Sequence, residues 1–210
     1  MSGVKGARSA RAAETRRRIL AAATELFLAG GYGATTLQQV ADRAGVAVQT
    51  IYFTFRNKPA LLKELVDVAI AGDDGPLATM ERPWFARATD APDARSALNA
   101  LVTGSRAVLE RVAAVAEMVR IATAAHPELR DLWPDHEDPR HTVHTAAAKA
   151  LAGKPGAATG LDVGRAADVL YALLSPELFL ILTRDRAWPP EVWERWAEDT
   201  LAAQLLTPGA

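Results

Sequence analysis

The stretch TTLQQVADRAGVAVQTIYFTFRNK, Thr35–Lys58, decides the fold of the N-terminal part of this 210-residue chain. Its first half has apolar residues at positions 37, 40, 41 and 44, which is the spacing of one helical face. Thr36 and Gln39 have the spacing of a capping box, which begins a helix. Gly45 can end that helix in the left-handed conformation. The pattern therefore predicts a short amphipathic helix.

The second half of the stretch predicts another short helix after a tight turn. Ile51 and Phe55 lie one turn apart and can pack back onto the first helix. The residues expected to face outward are Val48, Gln49, Thr50 and Phe53. Two short helices joined by a glycine-containing turn form the helix-turn-helix pattern, whose second helix enters the major groove of DNA.

The same stretch resembles the TetR family of bacterial one-component regulators, and the resemblance continues on both sides of it. Upstream, residues 15–27 and Gly30-Gly31-Tyr32 resemble the first helix of that family and its exit. Downstream, Lys58-Pro59-Ala60-Leu61-Leu62 resembles the start of its connecting helix. The resemblance covers about residues 14 to 66. It implies an all-α fold, with a three-helix DNA-binding domain joined to a larger helical domain for ligand binding and dimerisation.

The resemblance also implies roles for individual residues at a DNA surface. Base contacts are expected from Gln38, Val48, Gln49 and Thr50, and phosphate contacts from Thr36, Tyr52 and Lys58. The chemistry agrees, since glutamine can pair with adenine and a valine methyl can touch the thymine methyl. For Tyr52 and Phe53 the alternative is packing against the first helix. Ala47 departs from the family, which usually has a capping serine there, so the second helix is expected to become ordered on DNA.

Charge is distributed unevenly along the chain. Residues 1–66 contain ten Lys and Arg against four Asp and Glu, a net charge of +6. Residues 67–210 contain fourteen against twenty-one, a net charge of −7. A basic N-terminal region followed by an acidic remainder indicates that only the N-terminal region has a polyanionic partner, although a solvated basic helix gives the same charge counts. Double-stranded operator DNA is the expected partner.

Four regions are predicted along the chain. Residues 1–13 lack periodicity and are expected to form a mobile basic arm. Residues 14–58 form the DNA-binding domain, 59–72 the connecting helix and 73–210 the larger domain. Further helices are expected near 93–111, 113–125, 140–152, 162–183 and 190–206, with a kink or restart at Pro176.

Two functions are expected of the larger domain. Its last helices offer more apolar area than one small domain needs, which favours a homodimer. The candidate interface residues are Leu170, Leu174, Leu178, Ile181, Trp193, Trp196, Leu201 and Leu205. By resemblance, the middle helices should hold a small, largely apolar effector. The candidate pocket residues are Leu98, Val102, Met118, Ile121, Trp133 and Tyr171. The alternative is a DNA-binding scaffold that responds to no ligand.

Other function classes have weaker sequence support. Four histidines between His126 and His144, with nearby acids, could bind a metal or serve an enzyme, but no established ligand spacing is present. The chain has no cysteine, and it contains no nucleophile-elbow, P-loop or dinucleotide motif. We therefore expect no catalytic residue, metal or cofactor. No membrane span or signal peptide is expected, which favours the cytoplasm.

Overall fold

The computed structural model describes residues 2–72, 79–133 and 139–209, with side chains described from residue 10 onward. This part of the chain contains α-helices and no β-strand, so the prediction of an all-α fold is confirmed. The helices are α1 (Ser2–Gly30), α2 (Leu37–Ala44), α3 (Val48–Phe55), α4 (Lys58–Ala71), α5 (Pro83–Thr89), α6 (Ala94–Ala125), α7 (Pro139–Ala152), α8 (Val163–Leu173), α9 (Pro176–Leu180) and α10 (Pro190–Leu205).

Helix α1 begins much earlier than the sequence pattern predicted. The expected mobile arm over residues 1–13 is wrong for the backbone from Ser2 onward, which is helical. Residues 10–14 are exposed, so this segment is helical without burying an apolar face. Its alanines, arginines and lysine have high intrinsic helix propensity, which explains a helix where hydrophobic periodicity is missing.

The ends of α2 form as the local sequence predicted. The Thr36 side chain accepts a hydrogen bond from the Gln39 N–H, and the Gln39 side chain accepts one from the Thr36 N–H, which completes the capping box. Gly45 has φ 66° and ψ 43°, the left-handed conformation expected after a helix. Leu37, Val40, Ala41 and Ala44 are all buried.

Two helices of the larger region differ from the prediction. The segments expected near 93–111 and 113–125 form the single helix α6, because the junction residues Val112 and Ala113 are buried and continue its apolar face. Helix α5 was not predicted, since it follows a run rich in glycine and proline. Pro83 is its first residue, where the missing N–H has no cost, and Phe85 and Ala88 bury its inner face.

The predicted break at Pro176 is confirmed. Helix α8 ends at Leu173, and α9 begins at Pro176 with the Ser175 hydroxyl accepting from the Leu178 N–H at 3.2 Å. A single π-helical turn, Ile181–Asp185, follows α9. The segment Val163–Asp185 is long and apolar enough to span a membrane, yet only 33% of its most apolar window is buried. A single segment of this composition does not indicate a membrane protein.

The chain divides into two compact units. Unit 1 comprises Met1–Val68 with Val115–Pro134, and unit 2 comprises Ala69–Ala114 with Asp135–Ala210. Unit 1 has its own core, built around Ile19, Phe27, Val40, Ile51, Leu61 and Leu129. The core of unit 2 surrounds Leu98, Leu170, Trp193 and Leu201. The end of α6 therefore belongs to the same compact unit as the helix-turn-helix, which the sequence pattern did not indicate.

Candidate nucleic-acid interface

Helix α2 contributes one amide side chain and one capped N-terminus to the candidate surface. Gln38 is exposed, and its amide donates a hydrogen bond to the Asp42 carboxylate at 2.8 Å. This contact holds the Gln38 side chain along α2, so reading a base requires the amide to turn outward. The Thr36 hydroxyl is engaged in the capping box and also donates to the Gln39 side chain at 3.1 Å.

Helix α3 has one buried and one outward face. Ile51 and Phe55 are buried against the core of unit 1, as predicted. Gln49 is exposed, and Val48 and Thr50 are half-buried. Tyr52 is 53% exposed and Phe53 is 92% exposed, so the alternative that they pack against the first helix is wrong. The outward face therefore combines amide, hydroxyl and aromatic groups.

Phe53 is a candidate contact residue that our assignment of roles left out. Its position four residues after Gln49, one helical turn further on, was the available signal. The ring is accessible to a partner, since it is 92% exposed. An apolar ring at the end of a recognition helix can touch thymine methyl groups or sugars.

The N-terminus of α3 lacks a side-chain cap, as the departure at Ala47 predicted. Ala47 has φ −70° and ψ 143°, which is the extended conformation of an N-cap residue. No side chain accepts a hydrogen bond there, and the Thr50 N–H donates to the Ala47 carbonyl at 2.9 Å. Helix α3 is nevertheless formed over Val48–Phe55.

A tight turn joins α3 to α4. Arg56 has φ 68° and ψ −53°, and the Asn57 N–H donates to the Phe55 carbonyl at 2.8 Å. These values define a γ-turn of the rarer, strained kind. Strained backbone of this kind is concentrated at functional sites. The turn fixes the angle between α3 and the start of α4.

Lys58 is the first residue of α4 and lies near the aromatic residues of unit 1. Asn57 caps the helix, because its side chain accepts from the Ala60 N–H at 2.8 Å. The Lys58 ammonium lies 4.1 Å from the centroid of the Tyr32 ring and 3.5 Å from the Gly33 carbonyl oxygen. Partial burial lowers the pKa of Lys58. A phosphate at this helix N-terminus would stabilise the ammonium and meet free N–H groups.

Part of the basic charge of unit 1 is neutralised internally. Arg43 makes a bidentate ion pair with Glu25, with nitrogen–oxygen distances of 2.7 to 2.9 Å. Arg16 pairs with Glu64, which packs α1 against α4. These pairs are structural, so fewer than the ten Lys and Arg side chains of residues 1–66 are available to DNA.

Comparison with known proteins agrees with this geometry. Residues 19–65 match the family described as bacterial regulatory proteins, tetR family. The helix-turn-helix region of the chain is therefore that of the TetR family. The matched residues include all of α2 and α3 and the start of α4 at Lys58.

One curated relative of this chain is the HTH-type transcriptional regulator SrpR of Pseudomonas putida. The two are 36% identical over 85 residues, which is 37% of this chain and 38% of SrpR. The aligned part thus spans less than two fifths of the relative's length. The relatives that match this region are transcriptional regulators.

Solved structures extend the likeness to the whole fold. A transcriptional regulator from Saccharomonospora viridis in complex with choline is 22% identical, with a TM-score of 0.69 over 93% of this chain and 99% of that one. The regulator FadR from Bacillus subtilis in complex with stearoyl-CoA is 20% identical, with a TM-score of 0.65 over 89% and 97% of the two chains. At these identities the likeness establishes the fold of the larger region and nothing about its ligand.

The residues predicted for the dimer interface divide into two groups. Five are buried within a single chain and belong to the core of unit 2, which corrects their assignment to an exposed contact face: Leu170, Leu174, Trp193, Leu201 and Leu205. Trp193, for example, packs edge-on against Phe179 with ring centroids 5.0 Å apart. The other three keep accessible surface. Ile181 is 49% exposed, and Leu178 and Trp196 are half-buried.

The residues predicted for the effector pocket lie in both units. Leu98 and Val102 are fully buried in unit 2, and Tyr171 is half-buried there under the Arg140 guanidinium, 3.5 Å from the ring centroid. Met118 is buried and Trp133 half-buried in unit 1. Ile121 is 58% exposed on α6 and does not form an enclosed wall.

A cavity of about 400 Å³ opens between the start of α8 and the end of α10 in unit 2. Its lining includes Leu161, Arg165, Val169, Gln204 and Leu205. None of the predicted pocket residues lines it. Its mixed apolar and polar walls were not indicated by the sequence pattern.

The histidines considered for a metal site are separated. His126 lies in unit 1, beside Glu128, while His141 and His144 lie in unit 2 against the ring of Tyr171. His136 and the neighbouring acids at 135, 137 and 138 are outside the described residues. Across residues 2–72, 79–133 and 139–209, no three His, Asp or Glu side chains are grouped as a metal would require.

Proposed function

We propose that this chain is a repressor that binds palindromic operator DNA as a homodimer and is released by a small, largely apolar ligand. The observation that supports DNA binding most directly is the outward face of α3, where Gln49, Tyr52 and Phe53 are exposed on a helix that is already formed. A cytoplasmic location follows from that role, since the operator is there.

The proposed contacts separate into two kinds. Gln38, Val48, Gln49 and Thr50 read base edges, with Phe53 added from its exposure, and these residues set sequence preference. Thr36, Tyr52 and Lys58 hold phosphates, which sets affinity and its dependence on salt. Because phosphate contacts carry no sequence information, removing one should weaken binding to all DNA alike.

Selection from a random DNA pool tests this proposal. The wild type should select a palindromic site. Gln49→Ala should change the preferred bases, whereas Lys58→Ala should weaken all binding and flatten its salt dependence. Lys63→Ala is the matched control for Lys58, since Lys63 is an exposed lysine of the same helix and pairs with Asp67 at 2.8 Å. A wild type with no preference for any site would refute the assignment.

The homodimer is supported by an apolar face that this chain does not cover. The segment Val163–Asp185 contains a strongly apolar 18-residue window, of which only 33% is buried. Ile181, Leu178 and Trp196 keep accessible surface near its end. A two-fold dimer would bury this face and hold two recognition helices on half-sites about 34 Å apart.

Sedimentation of Ile181→Glu tests the dimer. A charge at Ile181 should lower the dimer fraction at micromolar concentration without unfolding the chain, because the side chain is 49% exposed. Ile70→Glu is the matched control, since Ile70 is 40% exposed on α4. Charges at Trp193 or Leu201 would not test the interface, because both side chains are fully buried and the core itself would be disrupted. A wild-type chain that sediments only as a monomer, with and without DNA, would refute the dimer.

The effector is proposed on the composition of unit 2 and its neighbours. A helical bundle of this size with an aliphatic and aromatic core exceeds what dimerisation needs, and ligand sites are common between bundle helices. Two proteins of the same fold bind choline and stearoyl-CoA, so the fold accommodates ligands of unlike shape. Within unit 2 the proposed walls are Leu98, Val102 and Tyr171, and Met118, Ile121 and Trp133 of unit 1 are not assigned to this pocket.

A thermal-shift screen separates an effector-controlled repressor from a ligand-independent scaffold. A true effector raises the melting temperature and weakens operator binding, since it must bind better to the form with low DNA affinity. Tyr171→Ala should blunt both effects, whereas Trp188→Ala, which removes a half-buried aromatic residue of unit 2 outside the proposed walls, should blunt neither. If every compound that binds leaves operator affinity unchanged, unit 2 is an assembly domain. A reporter gene behind the selected operator then distinguishes repression from activation.

A further inference from the structure

The ammonium of Lys58 is held by neutral groups rather than by a carboxylate. It lies over the face of Tyr32, 4.1 Å from the ring centroid, and 3.5 Å from the Gly33 carbonyl oxygen. No Asp or Glu among the described residues forms an ion pair with it. A cation over an aromatic face is attracted weakly while its charge remains available. Tyr32 and Gly33 therefore fix the position of Lys58 without neutralising it.

One residue at the end of α6, His126, lies next to both Tyr32 and Gly33. His126 directly follows Ala125, and its ring meets Tyr32 edge-on, with centroids 5.5 Å apart and planes at 74°. Its Nε2 lies 3.0 Å from the point that a Cβ on Gly33 would occupy. Its Nδ1 lies 3.5 Å from the Glu128 carboxylate, which orients the ring. All of these residues belong to unit 1.

Little free space surrounds this arrangement. Tyr32 is only 6% exposed and also packs against Phe27, with ring centroids 5.4 Å apart. Burial, and next the charge of Glu128, raise the pKa of the Tyr32 hydroxyl to about 12, so the ring is neutral at physiological pH. A side chain larger than hydrogen at Gly33 would press on His126. The ring beneath Lys58 is thus enclosed between Phe27 and His126.

We infer that His126 is a positioning residue for DNA binding: it fixes Tyr32 and the Gly33 turn so that Lys58 is presented to a DNA phosphate. This inference rests on the proposed phosphate contact of Lys58. The alternative is that His126 only fills space and contributes to stability. The two differ in whether the effect of removing His126 depends on Lys58.

The test is a double-mutant cycle on operator affinity, measured over a range of salt concentrations. Lys58→Ala should reduce the slope of log affinity against log salt by about 0.9 for each protomer. His126→Ala should weaken binding roughly 3- to 10-fold and reduce the slope in the same direction. The double variant should bind no more weakly than Lys58→Ala alone, because both changes remove the same contact. His126→Phe keeps a ring edge against Tyr32 and should restore most of the affinity.

Gly33→Ala gives an independent probe that removes no charged or aromatic group. Its new Cβ would displace His126, so it should weaken DNA binding in the wild type and have a much smaller effect in the His126→Ala background. The melting temperature of each variant is measured in parallel. If His126→Ala does not fold, Gly33→Ala and His126→Phe still complete the comparison, each combined with Lys58→Ala.

The outcomes separate the inference from the proposal beneath it. If Lys58→Ala leaves affinity and salt slope unchanged, the proposed phosphate contact is wrong and the inference fails with it. If Lys58→Ala behaves as expected but the effects of His126→Ala and Lys58→Ala multiply, His126 acts only on stability and the inference alone is refuted. A His126→Phe variant as weak as His126→Ala would also contradict the proposed ring contact.

Discussion

The missing cap of α3 gives a quantitative prediction about the recognition helix. Ala47 already has the extended backbone of an N-cap residue, but it offers no side-chain oxygen to the first N–H groups of α3. Ala47→Ser supplies that acceptor without changing the backbone conformation. Serine in place of alanine at an N-cap stabilises a helix by about 1 kcal/mol. This corresponds to a roughly fivefold shift in the equilibrium between the folded and the locally unfolded form of α3.

Helix α2 provides the internal reference, because its cap is present. Thr36→Ala removes the Gln39 N–H contact to the threonine hydroxyl, 3.2 Å long, and should destabilise α2 by about 1 kcal/mol, opposite in sign to Ala47→Ser. Thr36→Ser keeps the hydroxyl and should be nearly neutral. The two helices are of equal length and lie in the same unit, which makes the comparison direct.

Native-state amide hydrogen exchange is the suitable assay, because the chain has two compact units and a single melting curve would mix them. Amides of α3 should exchange about fivefold more slowly in Ala47→Ser. Amides of α2 should exchange faster in Thr36→Ala. If Thr36→Ala has its expected effect but Ala47→Ser leaves exchange in α3 unchanged, the N-cap geometry assigned to Ala47 is wrong.

Three further predictions concern backbone and burial. Gly104→Ala would place its Cβ 2.2 Å from the Trp84 ring. It should therefore lower the free energy of unfolding, measured by urea titration, by about 1–3 kcal/mol. Adding Trp84→Leu to the same chain should recover part of this loss. Arg56→Val should destabilise unit 1 by roughly 1 kcal/mol more than Arg56→Asn, because a β-branched residue tolerates positive φ poorly. Equal amide hydrogen-exchange rates of unit 1 in the two variants would contradict the assigned turn. The pKa of Tyr32 is raised from 10.0 to about 12, so the unfolded chain loses the Tyr32 proton at a lower pH than the folded chain does. The urea concentration at the unfolding midpoint should therefore decrease as the pH rises from 10 to about 12, and it should decrease less in Tyr32→Phe.

Local sequence determined the features that depend on residues within a few positions of one another. The capping box of Thr36 and Gln39, the left-handed Gly45 and the uncapped Ala47 all form as predicted. The helix restart at Pro176 has the same origin. Each of these features involves one turn of backbone and its nearest side chains, so no distant partner is needed to specify it.

Periodicity identified apolar faces but not what covers them. Leu170 and Trp193 were predicted for an interface and are buried in the core of unit 2, whereas Ile181, from the same set, is exposed. The continuity of α6 through Val112 was also missed, because a helix that changes its packing partner along its length shows no single apolar stripe. Which apolar side chains remain accessible follows only from how the helices pack.

The support of Lys58 is the clearest case of a feature decided by tertiary structure alone. The sequence predicted Lys58 to contact phosphate, from its position at the start of a helix. The sequence pattern did not indicate that the Tyr32 ring lies beneath the Lys58 ammonium or that the His126 ring packs against Tyr32. His126 is far from Tyr32 in the chain, and no repeat or spacing links them. Contacts of this kind depend on the packing of the end of α6 within unit 1, and only three-dimensional packing brings such residues together.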